Sequence, residues 1–120
     1  MYIWIMANNK LYKGSLVTII LRLLNENDKM YGYEITQKVR EMTKGQLKIT
    51  EGALYPALHK LEADGLLKVE VQTVDNRLRK YYKLTKEGEN ETLSKLEELQ
   101  EYIKTMQVLI NPNWSLKWRR

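Results

Sequence analysis

Apolar positions recur along this chain with two periods. Leu16, Ile19, Ile20, Leu23 and Leu24 step by three and four and predict a helix from about Ser15 to Asn25, ended by the polar stretch NENDK. A second run, GYEITQKVREM, sets Ile35, Val39 and Met42 at helical spacing, with Gly45 beyond it as a stop signal. In a third, Leu54, Leu58 and Leu61 share one face between Thr50, which can cap the free amides, and Gly65, which ends the helix. The period then changes to two. LLKVEVQTV alternates Leu67, Val69 and Val71 with Lys68, Glu70 and Gln72, and KYYKL is rich in β-formers. Asp75 and Asn76 between them are turn residues, so the two segments should pair as a hairpin whose tip carries Arg77, Arg79 and Lys80.

From Thr85, a plausible N-cap, one long helix runs to about Ile110 and ends at NPN, with Gly88 as a weak spot in its first turn. Leu96, Leu99, Ile103, Met106 and Ile110 form a heptad seam flanked by Glu97, Glu98, Glu101 and Lys104. At 1.5 Å per residue such a helix is roughly 35 Å long and overruns a three-helix core, which favours a dimer contact over packing within the chain.

The third helix contains Pro56. A proline costs roughly 3 kcal/mol in a helix interior, but in the second turn it forfeits one bond and pushes away only the carbonyl of Gly52, near the frayed end. Gly52, Pro56, His59, Lys60 and Ala63 point away from the leucines and make a small, flat, weakly basic face. Solvated faces are usually dense in Glu and Lys, so this one suits a partner. Three short helices followed by a hairpin make a winged helix-turn-helix. The expected fold is mainly α with a small β-hairpin: a winged-helix DNA-binding domain over residues 11–84, a C-terminal dimerisation helix over 85–110, and terminal extensions 1–10 and 111–120. An ordinary edge hairpin with solvated basic residues is the alternative for the wing.

Charge sharpens this picture. The 120 residues carry a net charge of +5, but residues 1–84 hold 14 Lys or Arg against 9 Asp or Glu, whereas 85–109 hold three against six. A nucleic-acid contact would therefore lie before residue 85. With no cysteine there is no disulfide, thiolate metal site or thiol nucleophile, and a reducing cytoplasm fits. MYIWIM is too short for a signal-peptide core, and no run nears the roughly 18 apolar residues of a membrane span, so a soluble, uncleaved protein is expected. His59 is the only histidine and has no carboxylate spaced to orient it; no glycine-rich phosphate loop occurs. These features argue against an enzyme, a metal site or a cofactor.

GSLVTIILRLL, YGYEI, TEGALYPALHKLEADGLL and RKYYKLTKEG, in that order, resemble the PadR family of bacterial transcriptional regulators, in particular its small members with one C-terminal helix; the likeness runs from about Leu11 to Leu109. The resemblance implies a dimeric winged-helix repressor of double-stranded DNA with a pseudo-palindromic operator. Its recognition-helix candidates are Thr50, Gly52, Ala53, Tyr55, Pro56, His59 and Lys60. Tyr33 is a backbone candidate, and Arg77, Arg79 and Lys80 are wing candidates. Tyr55 could instead be a half-buried packing residue. The chain departs from the family pattern at Ala53, where many members have threonine, and at a wing tip without the glycines many carry. Some members of that family bind a small aromatic effector between C-terminal helices; here Leu99 and Tyr102 stand on or near the seam with no tryptophan in the helix, while Trp4, Trp114 and Trp118 sit at the chain ends, where they would staple the termini to the dimer, a ligand box being the alternative. The rival reading is a protein-interaction adaptor on the same fold, without specific DNA binding.

Overall fold

The first amphipathic run folds as a 3₁₀ turn, Leu11–Ser15, leading into helix α1, Leu16–Glu26, in a computed structural model that describes residues 11–111. Leu16, Ile20, Leu23 and Leu24 are buried, as their spacing requires, but Ile19, aligned with them, is only half-buried, and Leu21, outside the predicted set, is buried in the core. Tyr12 in the 3₁₀ turn is buried as well, and its hydroxyl accepts the backbone N–H of Thr50 at 3.3 Å. The start of the fold is thereby tied to the start of the third helix.

A two-residue strand β1, Met30–Tyr31, runs directly into helix α2, Gly32–Met42. Tyr31 caps α2 in an extended conformation, and its N–H donates to Glu34 Oε1 at 3.1 Å. Gly45 ends the helix region with φ +79°, a value that favours glycine, and its N–H reaches the Arg40 carbonyl at 2.8 Å. Ile35 and Val39 are buried, but Met42, which the spacing aligned with them, is exposed; Ile49 in the following loop is buried.

Helix α3, Glu51–Ala63, begins where expected: Thr50 Oγ1 accepts the N–H of Ala53 at 3.2 Å. Its buried residues are Leu54, Leu58 and Leu61, and Gly65 closes it with φ +80°. Strands β2, Leu67–Val74, and β3, Arg77–Leu84, then pair antiparallel through the two-residue turn Asp75–Asn76. Both turn residues have positive φ, 51° and 63°, as the tight hairpin turn that matches strand twist demands. Strand β1 joins on the other edge of β3, with Met30 opposite Tyr82 and Tyr31 opposite Tyr81.

This sheet corrects the sequence reading twice. It has three strands, because a two-residue strand is too short to show alternation. Arg77, Arg79 and Lys80 also lie within β3 and not in a loop at the tip, since the turn takes up only Asp75 and Asn76.

Helix α4, Lys86–Ile110, starts at Thr85, whose Oγ1 accepts the Gly88 N–H at 3.0 Å. It packs against α1, with Gly88 and Thr92 buried. Along the heptad seam Leu96, Leu99 and Met106 are half-buried, while Ile103 and Ile110 are exposed together with Tyr102, Val108 and Leu109. Among the described residues no helix is long and apolar enough to cross a membrane.

Candidate nucleic-acid interface

With its three leucines in the core, α3 turns the opposite face outward. Thr50, Gly52, Pro56, His59, Lys60 and Ala63 are exposed, whereas Ala53 and Tyr55 are half-buried and pack against the core. Thr50 combines exposure with capping, so its side chain already has one task. Lys60 Nζ lies 3.3 Å from Asp64 Oδ2, a solvated pair of i, i+4 residues that leaves the ammonium accessible. Tyr55 reaches sideways: a Cβ built on Gly32 would lie 2.3 Å from its hydroxyl oxygen, so the ring end sits directly over the first residue of α2. Its ring centroid is 6.5 Å from that of His59. The packing role considered for Tyr55 is thus present in the fold, at the edge of the outward face.

Tyr33, in the first turn of α2, is exposed at the N-terminal end of that helix. Arg77 and Lys80 are exposed on opposite faces of β3, because successive strand residues alternate. Arg79 is half-buried. Its guanidinium carbon lies 4.2 Å from the centroid of the Tyr31 ring, and Tyr31 meets Tyr81 edge-on at 5.4 Å. The neighbouring Tyr81 raises the Arg79 pKa from its ordinary value, against the smaller opposing effect of desolvation. Next to this group, Lys29 Nζ is 5.5 Å from the Tyr81 centroid and 3.0 Å from Glu70 Oε2, and that lysine holds the Glu70 carboxyl below the usual carboxylate range.

The sequence reading did not single out Tyr31, Gly32 or Tyr81. Tyr31 and Gly32 stand in the YGYE stretch, but their partners, Arg79 and Tyr55, come from distant segments that only the fold brings together. Between the 3₁₀ turn, α1 and α4 lies a cleft of about 800 Å³, lined by Leu11, Ile19, Leu99, Tyr102 and Ile103 with Lys95 and Glu98 at its side. Trp4, Trp114 and Trp118 lie outside the described residues, as does the stapling role expected of them. Among the described residues no group of His, Asp or Glu could hold a metal ion.

Comparison with known proteins agrees with this architecture. The family model of the transcriptional regulator PadR-like family matches residues 20–104. A transcriptional regulator of Mycobacterium tuberculosis is 40% identical over 62 residues, which make up 52% of this chain and 55% of that protein. The structure of a transcriptional regulator from Clostridium thermocellum is similar with a TM-score of 0.78 at 33% identity, over 85% of this chain and 99% of that one. A PadR family transcriptional regulator from Eggerthella lenta gives 0.70 at 29% identity, over 87% and 85%. With the family matched over most of its length and a winged helix built to present α3, the chain belongs to the PadR-like transcriptional regulators, DNA-binding proteins and not enzymes.

Proposed function

We propose that this regulator is a homodimeric, sequence-specific repressor that docks α3 in the major groove and the wing on the flanking backbone. The observation that carries the reading is the outward face of α3. Gly52 and Pro56 keep it low, His59 and Lys60 give it donors, and no acidic side chain stands between Gly52 and Lys60. Pro56 offers a rigid apolar surface suited to a thymine methyl or sugar edge. Lys60, Tyr33 with the α2 amides, and Arg77 and Lys80 on the wing are the phosphate partners, with Arg79 at the wing's root. Two-fold symmetry then sets half-sites about one helical turn, ~34 Å, apart.

The test is binding of the full chain to a duplex from its own upstream region against a scrambled duplex, at two salt concentrations. Preference for the native duplex, with log affinity falling by about 0.9 per phosphate contact for each log unit of salt, is the expected result. No binding to either duplex at low salt would overturn the reading in favour of an adaptor.

The dimer contact is proposed on α4, where the seam residues Ile103 and Ile110 are exposed and Met106 between them is half-buried. Ile103→Lys is expected to shift the sedimentation coefficient from dimer to monomer; an unchanged dimer would place the contact elsewhere. A small aromatic effector would have room in the cleft beside Leu99 and Tyr102, and its binding there would make the repressor ligand-responsive.

A further inference from the structure

Three basic residues stand close together on β3, yet their surroundings differ. Arg77 and Lys80 extend into solvent, whereas Arg79 lies flat against the Tyr31 ring at 4.2 Å. Tyr31 belongs to both β1 and the N-cap of α2, where its N–H is held by Glu34. Tyr81, which meets Tyr31 edge-on, is flanked in turn by Lys29 and its partner Glu70. Arginine and two tyrosines thus form one layer across the outer face of the sheet, joining the hairpin to the entrance of α2.

The hairpin needs such a fastening. Strand β1 pairs with β3 only at Tyr81 and Tyr82, so from Lys80 to the turn the ribbon has two strands and no third neighbour. The other face gives little support there, since Val71 and Leu78 are exposed. A two-stranded ribbon is marginally stable alone, and its direction is set by whatever grips it. Arg79 is the first residue beyond the three-stranded part whose side chain returns to that face, and a planar guanidinium can lie on a ring as an ammonium cannot.

We infer that Arg79 serves DNA binding as a positioning residue: stacked on Tyr31, it fixes the wing's direction relative to the helix-turn-helix, leaving the wing's phosphate contacts to Arg77 and Lys80. This rests on the DNA-binding reading above and assigns Arg79 a role different from the direct contact its sequence position suggested. A phosphate contact depends on charge, so Arg79→Lys would preserve it. A stack depends on a plane over a ring, so Arg79→Lys breaks it and Tyr31→Phe keeps it.

The experiment measures two quantities on the full chain carrying Arg79→Lys, Arg79→Ala, Tyr31→Ala or Tyr31→Phe. One is amide hydrogen exchange over residues 71–80 without DNA; the other is affinity for the upstream and scrambled duplexes across a salt series. Arg79→Lys and Tyr31→Ala are expected to speed exchange in the wing and to weaken binding about tenfold with the salt slope unchanged, while Tyr31→Phe behaves as the parent in both. The inference is overturned if Arg79→Lys binds as the parent while Arg79→Ala reduces the salt slope by about one, which is the mark of a lost phosphate contact. It is overturned equally by wing exchange that none of the variants changes. A parent that binds neither duplex sinks the DNA reading itself, and is told apart from failure of the stack because exchange reads the wing in the absence of DNA.

Discussion

Gly88→Ala is expected to lower the unfolding free energy by about 3 kcal/mol, although it adds one methyl group to a helix. In an isolated helix the same change would stabilise by up to about 1 kcal/mol. The sign reverses because of where Gly88 sits. A Cβ there would lie 2.1 Å from the carbonyl oxygen of Leu66, 3.1 Å from its carbon and 3.0 Å from Leu84 Cδ2. The carbonyl cannot swing aside freely. It accepts the Thr85 N–H at 3.0 Å, while the N–H of Leu66 is committed to Leu61 at 2.9 Å in the closing turn of α3. Gly88 itself is held from both sides, its N–H by Thr85 and its carbonyl by the hydroxyl of Thr92 at 2.7 Å. An added methyl therefore lifts the first turn of α4 off the chain between α3 and β2 and disturbs the packing against α1. Urea unfolding followed by circular dichroism checks this, with Gly52→Ala as the control: a Cβ at Gly52 meets nothing within 4 Å, so that variant should be as stable as the parent or slightly more so. If Gly88→Ala matched Gly52→Ala, the close approach at Leu66 would not be limiting.

Gly88 also marks the boundary of what could be read from the chain. By propensity it is a weak spot in a long helix, and the sequence contains no sign that another segment's carbonyl passes over it. Features that depend on neighbours in sequence were legible: the leucine face of α3, the caps at Thr50 and Thr85, the stops at Gly45 and Gly65, and the turn at Asp75–Asn76. Reading became less exact where a pattern needs length. β1 has two residues, and β3 begins at Arg77 and not at Lys80, because RLR carries none of the aromatic or β-branched residues that mark KYYKL. It did not reach contacts between segments far apart in the chain. In the sequence Arg79 is one of three wing candidates with nothing to set it apart, because Tyr31, which covers its plane, comes from before α2. The outward face of α3 was legible, but the seat of Tyr55 on Gly32 was not.

That seat leads to a prediction in which DNA affinity and stability separate. Gly32 has no positive φ, so alanine fits its backbone, but the new Cβ would lie 2.3 Å from Tyr55 Oη, 2.7 Å from Cζ and 3.0 Å from Cε1. All three atoms belong to the far end of one ring, so the ring moves and the backbone stays. Gly32→Ala should therefore cost only about 1 kcal/mol, at the low end for overpacking, and lower Tm by about 4–8 °C. The displaced ring stands beside Pro56 and His59 at the edge of the proposed recognition face, where its hydroxyl would otherwise be available to a phosphate. DNA affinity should fall about thirtyfold, the ~2 kcal/mol typical of a central interface tyrosine, and Tyr55→Ala should lose as much while remaining folded and dimeric. The double variant supplies the decisive comparison. With the ring removed, Gly32→Ala should cost nothing further in stability or in affinity, because the two substitutions act on one contact. A Gly32→Ala penalty that persists in the Tyr55→Ala background would mean the ring is not the obstacle. Full affinity in Gly32→Ala would make Tyr55 a packing residue alone and leave the backbone contact to Tyr33 and the amides of α2.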